Sequence, residues 1–94
     1  MNIKIVILPT GEHLIAKTGE ATREIEGEIQ FIGYVLTDPE VLGDNLTLSP
    51  WVNGTSNNQF LIIPQQVVTM CDPTEELAES YISKVGTDGL QEND

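Results

Sequence analysis

Positive charge is what this chain has least of. Four Lys and Arg stand against fifteen Asp and Glu, for a net charge of −11 at neutral pH. That imbalance favours solubility and opposes attraction to phosphate backbones and anionic membranes, so DNA is not an expected partner and RNA is disfavoured. Cysteine is rarer still. Cys71 stands alone, which excludes an intrachain disulfide and fits a reducing compartment. Set in an apolar run, its thiol is expected to pack as a small hydrophobe. Aromatics amount to Phe31, Phe60, Tyr34, Tyr81 and Trp51, so one domain of 94 residues has only a modest core. Self-association would bury what a monomer cannot. No basic segment followed by an apolar one opens the chain, and the run Ile3–Leu8 is far too short to span a bilayer. A cytoplasmic location without membrane contact is expected. One His, one Cys and no nucleophile elbow leave little for covalent catalysis, so no enzyme, cofactor or metal is expected.

What is present is mostly β-pattern. Ile3–Leu8 is a strand by composition, with Ile3, Ile5 and Ile7 on one face and Lys4, Val6 and Leu8 on the other, as in a strand covered on both sides. Pro9-Thr10-Gly11 supplies a turn, and His13–Lys17 returns as a hairpin partner. Thr18–Thr22 reads as a loop or a strongly bent strand. Ile25–Leu36 reads as a longer strand whose Gly27 and Gly33 mark bulges, ended by Asp38-Pro39. Around its start Glu24, Glu26 and Glu28 alternate with Ile25 and Gly27, which puts three carboxylates on one solvated strand face. Leu46–Val52 is a further strand candidate in which Trp51 is either core or a partner anchor. Asn53–Gln59 is a polar loop.

The chain is organised around Phe60–Met70. Two apolar, β-branched runs meet across Pro64-Gln65-Gln66; proline cannot donate to a ladder, so Pro64 ends one strand and Val67 begins the next. A corner that is apolar on both faces is not expected at a wet edge. Past Cys71, Asp72 is placed to cap a helix with Pro73 at its first position and Glu75 as capping-box partner. Leu77, Ala78, Tyr81, Ile82 and Val85 then recur at helical spacing, Lys84 suits the last turn and Gly86 the position after it. The expected domain is 1–86, with a barrel over about 3–72, a helix over about 73–85 and a disordered tail over 87–94.

Short bent strands, a hairpin with Gly at its turn, and a strand–tight turn–strand corner together resemble the Sm-like (Lsm) family over roughly residues 3–72. Gly33–Pro39, Ser49-Pro-Trp51 and Val67–Tyr81 are most similar to short Sm-like proteins carried by marine T4-type cyanophages. The resemblance implies a mostly β fold: a small, strongly bent, five-stranded open barrel, here followed by a C-terminal α-helix. It also implies a homo-oligomeric ring in which the fourth strand of one subunit pairs with the fifth of the next. On that basis Phe60, Leu61, Ile62, Ile63, Val67, Val68, Thr69 and Met70 are the expected oligomer interface. Two departures matter. The Arg-Gly pair with which RNA-binding members hold uridine is Pro64-Gln65-Gln66 here, and the helix follows the barrel instead of preceding it.

The first function expected is therefore a non-enzymatic, ring-forming scaffold or protein-interaction module, acting in the cytoplasm of the host if phage-encoded. The alternative is an RNA-binding ring acting on single-stranded RNA as a chaperone or regulator, in which Gln65, Gln66 and His13 supply hydrogen bonds to bases. Those three residues read more readily as plain turn and hairpin residues.

Overall fold

A computed structural model describes residues 1–88 and 90. Six strands form one antiparallel sheet: β1 (Asn2–Ile7), β2 (His13–Ile25), β3 (Glu28–Leu42), β4 (Leu48–Pro50), β5 (Gln59–Ile62) and β6 (Thr69–Cys71). One helix, α1 (Glu75–Val85), follows them. The sheet order is β4-β3-β2-β1-β6, with β5 also on β3. There are six strands where five were expected, because the outer edge of β3 serves two partners. Tyr34–Thr37 takes β5, and Glu40–Leu42 takes β4.

Those two pairings require β3 to run straight through Asp38-Pro39, where the sequence suggested an end. Opposite Ala16 of β2, β3 places both Asp38 and Pro39, with Asp38 at φ 51°. This two-against-one bulge bends the strand and separates the two halves of its edge. Proline is tolerated there because its missing N–H falls where the ladder is already interrupted. The strand expected over Ile25–Leu36 is also divided. Glu26 and Gly27, at φ 52° and 82°, form the two-residue turn of the β2–β3 hairpin, and both positive angles suit the I′ geometry that matches strand twist. Thr18–Thr22, left open between loop and strand, belongs to β2.

The sheet is covered on both faces, as the alternation in β1 predicts. Val6, Leu14, Ala16, Leu36 and Ile62 pack together on the inner face, where the bent sheet folds over itself. Ile15 of the outer face packs with Leu77 and Tyr81 of α1, joined by Ile3 and Ile5. Burying a side chain of that size contributes about 1.5–3 kcal/mol, which is how α1 is held. The cap of α1 is not Asp72, which pairs with Lys4 instead. Thr74 is the N-cap, its Oγ1 accepting from the Leu77 N–H at 3.2 Å, and Glu75 begins the helix. At the far end the Gly86 N–H closes on Ile82 O. Of the expected disordered tail, residues 89 and 91–94 lie outside the described ones; Leu90 N–H donates to Thr87 O.

The sheet does not close. Strand β5 lies on β3 and β6 lies on β1, and the chain crosses between these two flanks through a 3-10 turn at Pro64–Gln66 without pairing β5 to β6. That turn lengthens the corner beyond what the sequence suggested. Gln66 N–H donates to Ile63 O and Val67 N–H to Pro64 O, so pairing with β1 resumes only with the Val68 N–H, which donates to Ile7 O ahead of β6.

Candidate functional site

The corner is more exposed than its apolar sequence suggested. Ile62 faces the core, Phe60 is half-buried against Trp51, and Met70 and Val67 pack on the inner cluster. Between them Leu61 is 56% exposed, Ile63 51% and Val68 63%. Cys71, expected to be packed, is exposed as well. Alternation explains both results: Ile62 and Met70 take the inward positions, so Leu61 and Cys71 must point out. Among the described residues each of β5 and β6 keeps one edge without a strand partner. From Asn45 to Cys71 no residue carries a charge, in a chain of net charge −11. Free edges are commonly guarded by charged side chains, and these two have none.

Of the eight residues expected at an oligomer interface, the structure therefore presents Leu61, Ile63, Val68 and Thr69 to solvent and turns Ile62 inward. Gln65 and Gln66 are exposed on the 3-10 turn. His13 is exposed at the start of β2, opposite Ile7, whose other neighbour is Thr69. It approaches the corner across β1 without joining it. Cys71 sits opposite Ile5 on the other flank of β1, so two strand spacings of about 4.8 Å each keep His13 from serving as its base.

A second feature was not legible as a site. Beyond Gly19 the β2–β3 hairpin outruns β1, and beyond Tyr34 it outruns β5, so among the described residues Glu20–Phe31 pairs only with itself as a two-stranded ribbon. Its inner face continues the inner face of the sheet. Cross-strand pairs Glu20–Tyr34, Thr22–Phe31 and Glu24–Ile29 lie in sequence along it, with Phe31 edge-on to Tyr34 at 5.0 Å. Where the ribbon meets the sheet, an open cavity of about 370 Å³ is lined by Lys4, Thr18, Glu20, Tyr34, Met1 and Met70, among others. Ile29 is 78% exposed on the ribbon and Phe31 44%. The three glutamates read in the sequence as one face are divided by the Glu26-Gly27 turn, which sends Glu24 and Glu28 to opposite faces. Among the described residues no three His, Cys, Asp or Glu side chains converge as metal ligands would.

Beneath α1 lies a buried polar network. The Lys17 side chain is fully buried, and its Nζ donates to Asp38 Oδ2 at 2.9 Å. Tyr81 Oη accepts from the Lys17 N–H and lies 2.7 Å from Asp38 O and 3.1 Å from Thr37 O, so its hydroxyl satisfies carbonyls that the β3 bulge frees. Burial pushes the Tyr81 hydroxyl well above the usual tyrosine range. The Lys17 amide bond pulls the other way, and the charges of Asp38 and Glu40 raise it further. Lys84 pairs with the buried Glu40 carboxylate and donates to Leu48 O. Lys17, Asp38 and Tyr81 anchor the helix at the kink, while the buried Glu40 Oε1 faces Lys84 as an ion pair without an aligned hydrogen bond.

A family model matches residues 1–86, that of a family of unknown function (DUF6561). The chain belongs to this family. That match overturns the Sm-like resemblance and with it the likeness to cyanophage proteins, because it is the DUF6561 pattern, and not the Sm-like one, that spans the chain. Bent strands and a tight corner are requirements of any small folded-over sheet, and they do not by themselves distinguish one family from another. No curated protein matches the chain. Among the described residues no helix is long and apolar enough to cross a membrane.

Proposed function

We infer that this DUF6561 chain is a non-enzymatic, cytoplasmic interaction module that assembles with copies of itself. The observation that carries this reading is the uncharged corner. It joins two strand edges without partners and exposes Leu61, Ile63 and Val68 between them. Copies of a chain with net charge −11 repel one another over most of their surface, and the stretch without charge is where they meet at least electrostatic cost. Edges of three and four residues offer few backbone hydrogen bonds, so exposed apolar side chains supply much of the contact. Addition of β5 from one copy to β6 of the next is a heterologous contact, which closes as a ring when the rotation permits. RNA is left out of the proposal, since Gln65 and Gln66 bring no positive charge to the corner and no Lys or Arg lies between Asn45 and Cys71.

Multi-angle light scattering at micromolar concentration tests this reading. The wild type is expected above monomer mass, and Val68→Lys is expected to return it to a folded monomer that loses only the stability assembly adds. A wild type that remains monomeric across the concentration range would sink the reading.

A further inference from the structure

The ribbon holds an arrangement that the corner does not explain. A two-stranded ribbon alone in water is marginal, yet this one carries a row of large apolar side chains, Ile29, Phe31 and Tyr34, along β3. Beside that row, on the same face of β2, stand Glu20, Thr22 and Glu24. Both rows run into the open cavity, since Tyr34 and Glu20 line it too, and Met1 and Met70 extend the apolar side inward. The result is one continuous surface, apolar along one side, acidic along the other, and concave at its inner end. The ribbon's own cation, Arg23, alternates with Glu24 and so lies on the opposite face, and Lys4, which lines the cavity, is paired with Asp72.

A second copy of this chain is a poor occupant. An acidic row asks for positive charge, and the chain has only four Lys and Arg to offer. Lys17 is buried on Asp38, Lys84 is paired with Glu40, and Lys4 with Asp72, which leaves Arg23 of the ribbon itself. We propose that the inner face of the ribbon and the cavity it enters form a docking groove for a basic, amphipathic segment of another protein. The partner's apolar side chains lie along Ile29, Phe31 and Tyr34, with the innermost in the cavity between the methionines, whose thioethers adapt to irregular shapes. Its lysines or arginines lie along Glu20 and Glu24. Extended chains suit this surface, because alternate side chains of a strand point the same way.

The probe is a short fluorescein-labelled peptide alternating Lys with Leu, titrated into the full-length protein and followed by anisotropy at physiological salt. It is expected to bind, and its Glu/Leu counterpart is not. Ile29→Ser and Glu24→Gln are each expected to weaken the complex by about fivefold to tenfold, within the range of ordinary interface truncations. Both positions are exposed and away from the core, and circular dichroism melts verify that the variants fold. Val68→Lys is expected to leave peptide affinity unchanged, which separates this groove from the corner. Equal affinity for a Lys/Ser peptide of the same charge would reduce the groove to a generic polyanion and overturn the proposal. So would an Ile29→Ser protein that binds as well as wild type, or one whose only change is a lower mass in light scattering, since the ribbon would then be a contact between copies.

Discussion

Two regions of this molecule expose large apolar side chains, and they do so in opposite electrostatic settings. The corner shows Leu61, Ile63 and Val68 within a stretch that has no charge from Asn45 to Cys71. The ribbon shows Ile29 and Phe31 beside Glu20 and Glu24. Apolar exposure alone marks a surface for contact without saying with what. Charge supplies the difference: the corner suits a copy of a strongly negative chain, and the ribbon suits something positive. The regions differ in support as well. The corner lies on the core through Ile62 and Met70, whereas among the described residues the ribbon has no strand partner beyond its own ladder.

That difference in support gives the sharpest ways to break the comparison. The largest effect is expected at Gly33, where the two regions adjoin. At φ 156° a Cβ would fall 2.3 Å from Ile62 O, against the backbone of β5. Gly33→Ala is expected to cost about 1–3 kcal/mol, as overpacking does, and to strip amide-exchange protection from β5 more than from the ribbon. A melt like that of wild type would show that β5 is not seated as described.

Next comes Tyr81→Phe, which acts behind the corner at the β3 kink. It leaves the Lys17 N–H and the carbonyls of Thr37 and Asp38 short of a partner, at a cost of about 1–3 kcal/mol in chemical denaturation. The same hydroxyl makes stability depend on pH at the alkaline end. Its folded value is raised, so the contribution is fully present below the unfolded tyrosine value of about 10 and is lost as pH rises beyond it. Wild type is expected to lose stability above that pH more steeply than Tyr81→Phe, and parallel curves would refute the assignment. The smallest effect belongs to the ribbon. Ile29→Ser is expected to move the melting free energy by no more than about 0.5 kcal/mol, since nothing in the core rests on it.

The parts legible in the sequence were those where one period holds to the end of an element. Alternation in Ile3–Leu8 gave a strand covered on both faces, and the spacing of Leu77, Tyr81 and Val85 gave the helix and its buried stripe. The ribbon stayed hidden because the Glu/Ile alternation runs unbroken through the Glu26-Gly27 turn, so one strand and two look alike there. Asp38-Pro39 misled for the opposite reason: a sequence that ordinarily ends a strand here makes a bulge within one, since Tyr81 takes up the carbonyls it frees. Thr74 caps in place of Asp72 because Lys4, far away in sequence, claims the aspartate. Exposure at the corner and at Cys71 depends on which face has neighbours, and an apolar run does not record that.

The pairing of β1 with β6 also has a consequence in time. Ile7 meets Thr69, so one flank of the first strand waits for a partner made 62 residues later (69 − 7). At about 5–20 residues per second, that interval is roughly 3–12 s. The β2–β3 hairpin, closed by a two-residue turn, needs only its own neighbours and forms within about 1–10 μs once free. A nascent chain therefore carries a finished hairpin long before β1 is covered on its second edge or roofed by α1. Throughout that interval the strand richest in isoleucine is the one most in need of shelter on the ribosome.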